Sequence, residues 1–313
     1  MRTLRLSVID RCPHRCGYCR PGLLTPFVDR GSWLSPADYA RLAPVFAELG
    51  VEKVRFTGGE PLLRTDLEDV LSAVRVGLPR ADLAVTTNGL LLSTRLRALA
   101  RAGLSRATVH VDTLDPSRYR TLMGEGDVAR VLDGVLDARE VLAEVKLNVV
   151  VQRGRNDDEL LEFLEWSRVH RVEVRFIELM NTGSAIAYAR ESFVSGREIV
   201  TAVRARVGAR PLIRLRPSDP ASRFVTDHGV VFGVIASDTE PFCDACNRLR
   251  LTVDGRLRGC LYEGAGVPLR EAARTSGFEQ LSALVRDAVA HKRSHHPSRG
   301  RRLTLFSMSE RGG

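Results

Sequence analysis

The six cysteines of this 313-residue chain fall into two groups of three, and none is left over. The first group follows the spacing CxxxCxxC, and the second is a CxxC with a third cysteine after a gap of 13 residues. They are Cys12, Cys16 and Cys19, and Cys243, Cys246 and Cys260. A 4Fe–4S cluster held by three thiolates has one iron open to another ligand. Two such clusters predict chemistry carried out at iron rather than electron storage alone.

Two other uses of cysteine compete with this interpretation. Disulfide frameworks belong to short secreted chains, whereas this chain is long and shows no apolar signal segment at its start. A structural zinc site needs four ligands, and His14 or His228 would have to complete it. The division into three and three favours iron–sulfur clusters over both alternatives.

The flanking sequence indicates which elements must position the first cysteine group. Apolar and polar residues alternate over residues 4–9, which is typical of a short strand, and the cysteine loop follows directly. Pro13 and Gly17 suit a loop that turns three thiolates inward. A second strand pattern precedes the segment TGGEP, where Gly58 and Gly59 would let the backbone approach a ligand closely.

The loop CPHRCGYC followed by TGGEP resembles the radical S-adenosylmethionine (SAM) superfamily. That resemblance implies that the first cysteine group holds a 4Fe–4S cluster whose free iron chelates the amino and carboxylate groups of SAM. Cleavage of SAM by one electron would give methionine and a 5′-deoxyadenosyl radical, with the cofactors carrying the hard chemistry. It also implies SAM contacts from Tyr18 near the adenine and from Gly59 and Glu60 at the methionine amino group.

The second cysteine group lies in PFCDACNRLRLTVDGRLRGCLY, residues 241–262. Alternating apolar residues predict a strand that ends at Asp254–Gly255, a hairpin turn, and the return strand brings Cys260 back beside the CxxC. Arg248 and Arg250 share one face of the first strand and would form a clamp for polyphosphate. A solvated basic strand is the alternative for this arginine-rich chain.

This second motif, placed after a radical SAM half, resembles the GTP 3′,8-cyclase family, which opens molybdenum cofactor biosynthesis. The likeness extends from about residue 4 to Gly313. It implies that the open iron of the second cluster binds guanine and that the 5′-deoxyadenosyl radical takes the ribose 3′ hydrogen. The resulting carbon radical would attack C8 of guanine and lead to 3′,8-cyclo-7,8-dihydro-GTP.

Basic residues stand within apolar strand patterns, where charge is unfavourable unless it faces a polar cavity. They are Arg5, Arg55, Lys146 and Arg175. Edge strands that face solvent are the alternative. The family resemblance implies GTP contacts from Arg5, Arg55, Thr86, Lys146, Arg248, Leu249 and Arg250, and the strand pattern adds Arg175.

The remaining site residues come from the same resemblance. It implies SAM contacts from Met180 and from His110, which stands where the family has serine, while Thr108 stands where asparagine is usual. It also implies that a terminal double glycine, here Gly312 and Gly313, threads into the active site and is needed for catalysis together with Arg248 and Arg250. A frayed chain end is the alternative for the two glycines.

The chain between the two cysteine groups alternates between strand and helix patterns. Strands are predicted at 4–9, 52–57, 83–87, 106–111, 145–151 and 172–178, and helices at 36–49, 65–76, 93–102, 128–142 and 157–168. Six β/α units predict an α/β fold with a parallel sheet and active groups at the carboxyl ends of its strands. The family form is a partial (β/α)6 TIM-like barrel over residues 1–215. An α+β extension over 216–313, with hairpins and a helix at about 278–292, would cover the open side and carry the second cluster.

The amino-acid composition limits the classes of binding partner that the sequence predicts. The net charge of +9 is diffuse and carried mostly by arginine, and aromatic residues are few, so nucleic acid is not expected as a partner. No apolar stretch approaches the length of a membrane helix, and reduced cysteines fit the cytoplasm. The resemblance implies GTP, a low-potential electron donor and a downstream cyclic pyranopterin monophosphate synthase as partners, and it leaves a homodimer open. The alternatives are a radical SAM dehydrogenase or peptide-modifying enzyme that uses an auxiliary cluster for electron transfer, a radical SAM enzyme acting on another nucleotide or on RNA, and a non-catalytic binding module.

Overall fold

The computed structural model describes residues 1–19, 26–180, 190–214, 216–290 and 292. The described strands are β1 Thr3–Ile9, β2 Lys53–Gly58, β3 Asp82–Thr87, β4 Arg106–His110, β5 Glu144–Val151, β6 Glu173–Glu178, β7 Arg210–Pro211, β8 Ser222–Val225, β9 Val231–Ile235, β10 Arg248–Leu251, β11 Arg256–Arg258 and β12 Val267–Pro268. The described α-helices are α1 Pro36–Glu48, α2 Leu67–Gly77, α3 Leu92–Arg101, α4 Pro116–Met123, α5 Val128–Val141, α6 Leu160–His170, α7 Gly196–Val207, α8 Arg270–Thr275 and α9 Phe278–Ala290.

Local sequence explains where several helices begin. Ser35 caps α1 by accepting from the backbone N–H of Asp38, and the Asp38 carboxylate accepts in turn from the backbone N–H of Ser35. Pro36 at the first helical position has its φ already set for a helix. Ser195 and Glu198 form the same capping box at α7. These caps satisfy N–H groups that have no partner within the helix.

The predicted parallel α/β architecture is confirmed. Strands β1 to β6 lie side by side in chain order, and every neighbouring pair among them is parallel. Leu4, Leu6, Val54 and Phe56 face away from the concave side and are fully buried in one core against the helices. Alternation then places the residues between them on the concave face, because side chains alternate along a strand.

The chain from β7 onward adds strands to both edges of the same sheet. Strand β9 pairs in parallel with β6, and β10 pairs in parallel with β1, so eight neighbouring strands are parallel. Antiparallel pairs complete the two edges, with β8 and β7 beyond β9 and with β11 and β12 beyond β10. The C-terminal part of the chain was expected to cover the open side of the barrel, and it does so largely by extending the sheet at both edges. The domain boundary at residue 215 stays a prediction. No helix among the described residues has both the length and the apolar character needed to cross a bilayer.

Candidate active site

The first cysteine group lies on a loop that starts directly after β1. Its backbone is fixed by a bond from Arg15 N to Met123 O of 3.0 Å and by a turn in which Cys19 N donates to Cys16 O at 3.0 Å. Burial, the Asp112 carboxylate and the two neighbouring thiols hold the pKa of Cys16 well above its ordinary value. Cations bound at this loop would favour the thiolate forms that burial and the neighbouring groups disfavour. The loop therefore fits an iron–sulfur cluster.

The double glycine of TGGEP is required by the cysteine loop itself. Gly58 has φ +144°, and a Cβ there would lie 2.0 Å from Ile9 O. A Cβ on Gly59 would lie 2.1 Å from Arg11 O, because Gly59 N and Glu60 N donate to Ile9 O and Arg11 O at 2.7 and 2.8 Å. The two glycines were expected to let the backbone approach a ligand. In the described residues they instead let it approach the segment that leads into Cys12.

Glu60 connects the ends of β2 and β3. Its carboxylate accepts from Leu62 N at 2.9 Å, Thr87 Oγ1 at 2.7 Å and Asn88 N at 2.7 Å, and the residue is 1% exposed. Burial raises the pKa of Glu60 to about 7, while these donors act in the opposite direction. Both oxygens are engaged by the protein, so the SAM contact assigned to Glu60 stays a prediction.

Tyr18, His110 and Asp112 form a connected group beside the first cysteine group. The Tyr18 hydroxyl donates to Asp112 Oδ2 at 2.6 Å and contacts His110 Nε2 closely, and His110 Nε2 lies 3.2 Å from Asp112 Oδ1. Asp112 is fully buried and also accepts from Val150 N at 2.8 Å. Burial lowers the pKa of His110, but the Asp112 carboxylate outweighs it and holds the pKa above its ordinary value. Sequence reasoning missed Asp112, although it lies two residues after His110.

The predicted hairpin in the second cysteine motif is confirmed. Strands β10 and β11 are antiparallel, with Arg250 opposite Arg258, and Gly255 occupies the turn with φ +82°. Cys246 N donates to Cys243 O at 3.1 Å in the turn that precedes β10. The hairpin returns the chain to Cys260, so the three cysteines of the CxxC…C motif come together.

The second cysteine group differs from the first in its surrounding charge. Burial and the nearby thiols of Cys246 and Cys260 raise the pKa of Cys243 to about 11. Burial also acts to raise the pKa of Cys246, but the Lys292 ammonium outweighs it and holds that pKa below its ordinary value. Lys292 was missed because 32 positions of sequence separate it from Cys260.

The six cysteines are all free thiols in the structure. Among the described residues no three His, Cys, Asp or Glu side chains form a group tight enough for a single metal ion. A cubane makes no such demand, because each thiolate binds a different iron. Both groups fit a cluster held by three thiolates.

A cavity of about 590 Å³ lies on the concave side of the sheet, between the strands and the extension. Its lining includes all three cysteines of the second group and the predicted residues Arg5, Arg55, Thr86, Lys146, Arg175, Met180, Arg248 and Arg250. Leu249 is different, because its side chain is fully buried in the core on the opposite face of β10. Lys53 also lines the cavity, and its spacing of two from Arg55 could have revealed it. Gly312 and Gly313 lie outside the described residues.

Four arginines make one side of this cavity strongly positive. The strand register places Arg5 directly between Arg55 and Arg250, and Arg248 is two residues before Arg250. Burial, followed by the charges of Arg250, Arg55 and Arg248, holds the pKa of Arg5 well below its ordinary value. Burial and neighbouring cations also lower the pKa values of Arg55 and Arg250 to about 10. Such a cluster of cations is suited to a polyanion.

The other side of the cavity is partly neutralised. Glu173 lies 2.9 Å from both Arg175 and Arg223 and 3.5 Å from Lys146, and Glu144 lies 2.9 Å from Lys146. Carboxylates therefore already hold Lys146 and Arg175.

The depth of the site corrects one expectation. The first cysteine group follows the carboxyl end of β1, as predicted. Arg5, Arg55, Lys146 and Arg175 are instead each the third residue of their strand, in the amino half of the barrel. The expectation that all active groups lie at the carboxyl ends was wrong for these cations, because they line the interior of the sheet rather than its rim.

Comparisons with known proteins agree with this geometry. The Radical SAM superfamily model matches residues 6–167, and the Molybdenum Cofactor Synthesis C model matches residues 172–298. A GTP 3′,8-cyclase of Aquifex aeolicus is 39% identical over 280 residues, which cover 89% of this chain and 87% of that protein. A GTP 3′,8-cyclase of Pelotomaculum thermopropionicum is 40% identical over 303 residues, covering 94% of this chain and 91% of that protein.

A solved structure of Streptococcus suis SuiB bound to S-adenosylmethionine shares the fold at a TM-score of 0.62 and 14% identity. The likeness covers 88% of this chain, which spans 64% of the length of SuiB. The two family models together account for most of the chain, and the two cyclases match over 87% and 91% of their own length. The chain therefore belongs to the GTP 3′,8-cyclase family of the radical SAM superfamily.

Proposed function

We propose that this protein is a GTP 3′,8-cyclase that converts GTP to 3′,8-cyclo-7,8-dihydro-GTP in the first step of molybdenum cofactor biosynthesis. The observation that carries the proposal is the shared cavity of the second cysteine group and the four arginines Arg5, Arg55, Arg248 and Arg250. Its cofactors are two 4Fe–4S clusters and SAM. A triphosphate needs the cations, and a base bound at an open iron needs the thiolates beside them.

The chain's own residues divide this task. Arg5 and Arg55 would bind phosphate oxygens on the positive side, where the strand register places the two guanidiniums on neighbouring strands. Arg248 and Arg250 would hold the nucleotide beside the second cysteine group. Arg248 is itself oriented by Phe242, whose ring lies 4.3 Å from its guanidinium carbon. Arg55 Nη1 donates to Thr86 Oγ1 at 3.1 Å and to Thr108 Oγ1 at 2.9 Å, which aims its charge across the cavity.

When bound, SAM and the first cluster supply the 5′-deoxyadenosyl radical that takes the ribose 3′ hydrogen. The cysteine loop would place SAM at the carboxyl ends of the strands, and the Tyr18–His110–Asp112 group, anchored on the buried Asp112, would hold that loop against β4. Sequestering this chemistry from solvent requires walls on all sides of the cavity, which the extension helps to provide.

The same proposal brings further partners. A low-potential donor must supply the electron for SAM cleavage, and a cyclic pyranopterin monophosphate synthase would consume the product. A cytoplasmic location follows from the need for reduced clusters. Light scattering on the same preparation would distinguish a monomer from a homodimer.

The test is an anaerobic incubation of reconstituted protein with SAM, reductant and GTP that carries deuterium at the ribose 3′ position. Iron is counted beforehand, and about eight irons per chain are expected from two cubanes. Mass spectrometry should find deuterium in 5′-deoxyadenosine together with the cyclic GTP product. Deuterium-free 5′-deoxyadenosine and intact GTP would overturn the proposal, and parallel reactions with ATP, CTP and UTP would then test another nucleotide.

A matched variant sharpens the result. Cys246→Ala should reduce the iron content to about four per chain, retain part of the SAM cleavage and lose the cyclic product. Cyclisation by Cys246→Ala at the original rate would remove the second cluster from the proposed function.

A further inference from the structure

Lys292 reaches the second cysteine group from the end of a helix on the outer surface. Helix α9 packs on α1 through buried residues that include Leu281 and Val285, and the exposed pair of Arg286 with Glu48 at 2.9 Å adds little to that packing. Lys292 N donates to Val289 O at 3.0 Å, which keeps the backbone of Lys292 close to the end of that helix. The position of Lys292 is therefore set by α9.

The ammonium of Lys292 finds three acceptors from three parts of the second cluster site. Nζ lies 3.6 Å from Cys246 Sγ and donates to Arg248 O at 2.9 Å. Its third, closer contact is Gly259 O. An ammonium has three N–H donors, so each of them is matched. Cys246 belongs to the CxxC, Arg248 begins β10, and Gly259 directly precedes Cys260.

The sequence around this contact is adapted to a lysine. A Cβ on Gly259 would lie 3.1 Å from Lys292 Cβ and 3.2 Å from Lys292 Cα, so glycine leaves the room that the lysine occupies. Only three of the 47 basic residues in the chain are lysine, the others being arginine. A compact ammonium presents its three donors around a single nitrogen, whereas arginine spreads its donors over a larger planar fork.

We propose that Lys292 is a positioning residue for the second iron–sulfur cluster. It joins the CxxC, β10 and the residue before Cys260 into one cradle, and it places a positive charge beside the Cys246 sulfur. Hydrogen bonds and positive charge at the sulfur ligands of a cluster raise its reduction potential, so Lys292 would make this cluster easier to reduce. The inference rests on the second cluster of the proposed function and adds a residue that controls it.

The test compares Lys292→Met with the unchanged protein after anaerobic reconstitution. Iron loss to a chelator is followed in time, and the potential of each cluster is measured by a redox titration monitored by electron paramagnetic resonance. Addition of SAM perturbs the signal of the first cluster and so identifies the other. We expect about tenfold faster iron loss from the second cluster and a more negative potential for it, with the first cluster unchanged.

Three further variants make the result decisive. Arg286→Met removes a cation from the exposed surface of the same helix and should change neither quantity. Lys292→Arg retains the charge without the three-point geometry, so it should keep the potential closer to the original and still lose iron faster. Gly259→Ala adds a methyl group that would displace the Lys292 side chain, so its iron loss and potential should resemble those of Lys292→Met. This variant keeps the inference testable if Lys292→Met fails to fold.

The outcomes separate this inference from the proposed function. Eight irons in the unchanged protein, with iron loss and potential in Lys292→Met and Gly259→Ala equal to those of Arg286→Met, would overturn the role of Lys292 alone. About four irons in the unchanged protein would overturn the second cluster, and with it both proposals. Faster iron loss in Lys292→Met, combined with no GTP turnover by the unchanged protein or any variant, would support the role of Lys292 and refute the proposed cyclase activity.

Discussion

Replacing Arg55 by methionine should make the protein more stable and its GTP binding weaker at the same time. Arg55 lies in the cavity beside Arg5, and its half-buried side chain is near the charges of Arg175 and Arg248. A residue that serves only the fold would not change these two properties in opposite directions. Methionine retains an unbranched side chain of similar length and removes the charge.

The stability change follows from the pKa of Arg55. Burial, followed by the charges of Arg175 and Arg248, lowers it to about 10, so the folded protein holds the charged form less favourably than the unfolded chain does. A tenfold change in an acid constant corresponds to about 1.36 kcal/mol, which sets an upper limit of about 3 kcal/mol. The hydrogen bonds to Thr86 and Thr108 offset part of this cost. We expect a net gain of about 1–2 kcal/mol, or a few degrees in Tm.

The binding change follows from the lost contact with a phosphate. A hydrogen bond to a charged group contributes about 1.5–3 kcal/mol, so the Kd for GTP should rise about 10- to 100-fold. Calorimetric titration with GTP in the absence of reductant measures this without turnover. Tm is measured on the same anaerobic sample, and both are repeated at higher ionic strength, where the binding difference should shrink.

Arg75 provides the matched control. Its guanidinium donates to the carbonyl oxygens of Pro79, Ala81 and Gly103 at 3.0, 2.8 and 2.9 Å, away from the cavity. Arg75→Met should lower the free energy of unfolding by about 1–3 kcal/mol and leave the Kd for GTP unchanged. If Arg55→Met instead lowered Tm as Arg75→Met does and left GTP affinity intact, the reasoning from the cation cluster would be refuted.

Three further changes test other parts of the site. Cys16→Ala should halve the iron content and abolish 5′-deoxyadenosine formation, because it removes a ligand of the first cluster; SAM cleavage that persisted would contradict the assignment. Gly59→Ala should give protein that retains little iron, since its Cβ would lie 2.1 Å from Arg11 O, and normal iron content would show that the loop can move aside. The raised pKa of His110 stabilises the fold below pH ~6.5, its ordinary value, and that stabilisation is lost as pH rises through the raised value. Tm against pH should therefore flatten in this region for His110→Gln, and an unchanged profile would assign the pH dependence to another group.

The parts of the site that sequence predicted best are those with local spacing. The two cysteine groups, the hairpin that returns to Cys260 and the order of the first six strands all depend on patterns within about 30 residues. Alternation along single strands was enough to place Arg5, Arg55 and Arg175 on the cavity face. The short helix α4 was missed because eight residues give too few turns for a periodic signal.

What sequence could not predict are contacts between distant segments. Glu178 is an example: it lies at the end of β6 and accepts from the backbone of Gly196, Asp238 and Thr239 at 2.6, 2.9 and 3.1 Å. Those bonds hold the loop that leads into the second cysteine group, yet nothing near Glu178 in sequence indicates them. The pairing of β9 and β10 with opposite edges of the sheet is equally nonlocal, because it depends on register between strands far apart in the chain.

The layering of polar side chains on the concave face explains how two clusters can serve one substrate. In β1 and β2 the cations Arg5 and Arg55 are followed on the same face by the small polar residues Ser7 and Thr57, which are nearly fully buried. Beyond them the strands end at the loops that carry the first cysteine group. Strand β10 pairs with β1 at the level of the cations, so the second cysteine group enters the cavity from that deeper level. A nucleotide held by its phosphates and base at this level would direct its ribose toward the layer of small side chains and SAM. Thr57→Leu should then block turnover while leaving the affinity for GTP close to its original value, and a large loss of GTP affinity in this variant would place the ribose elsewhere.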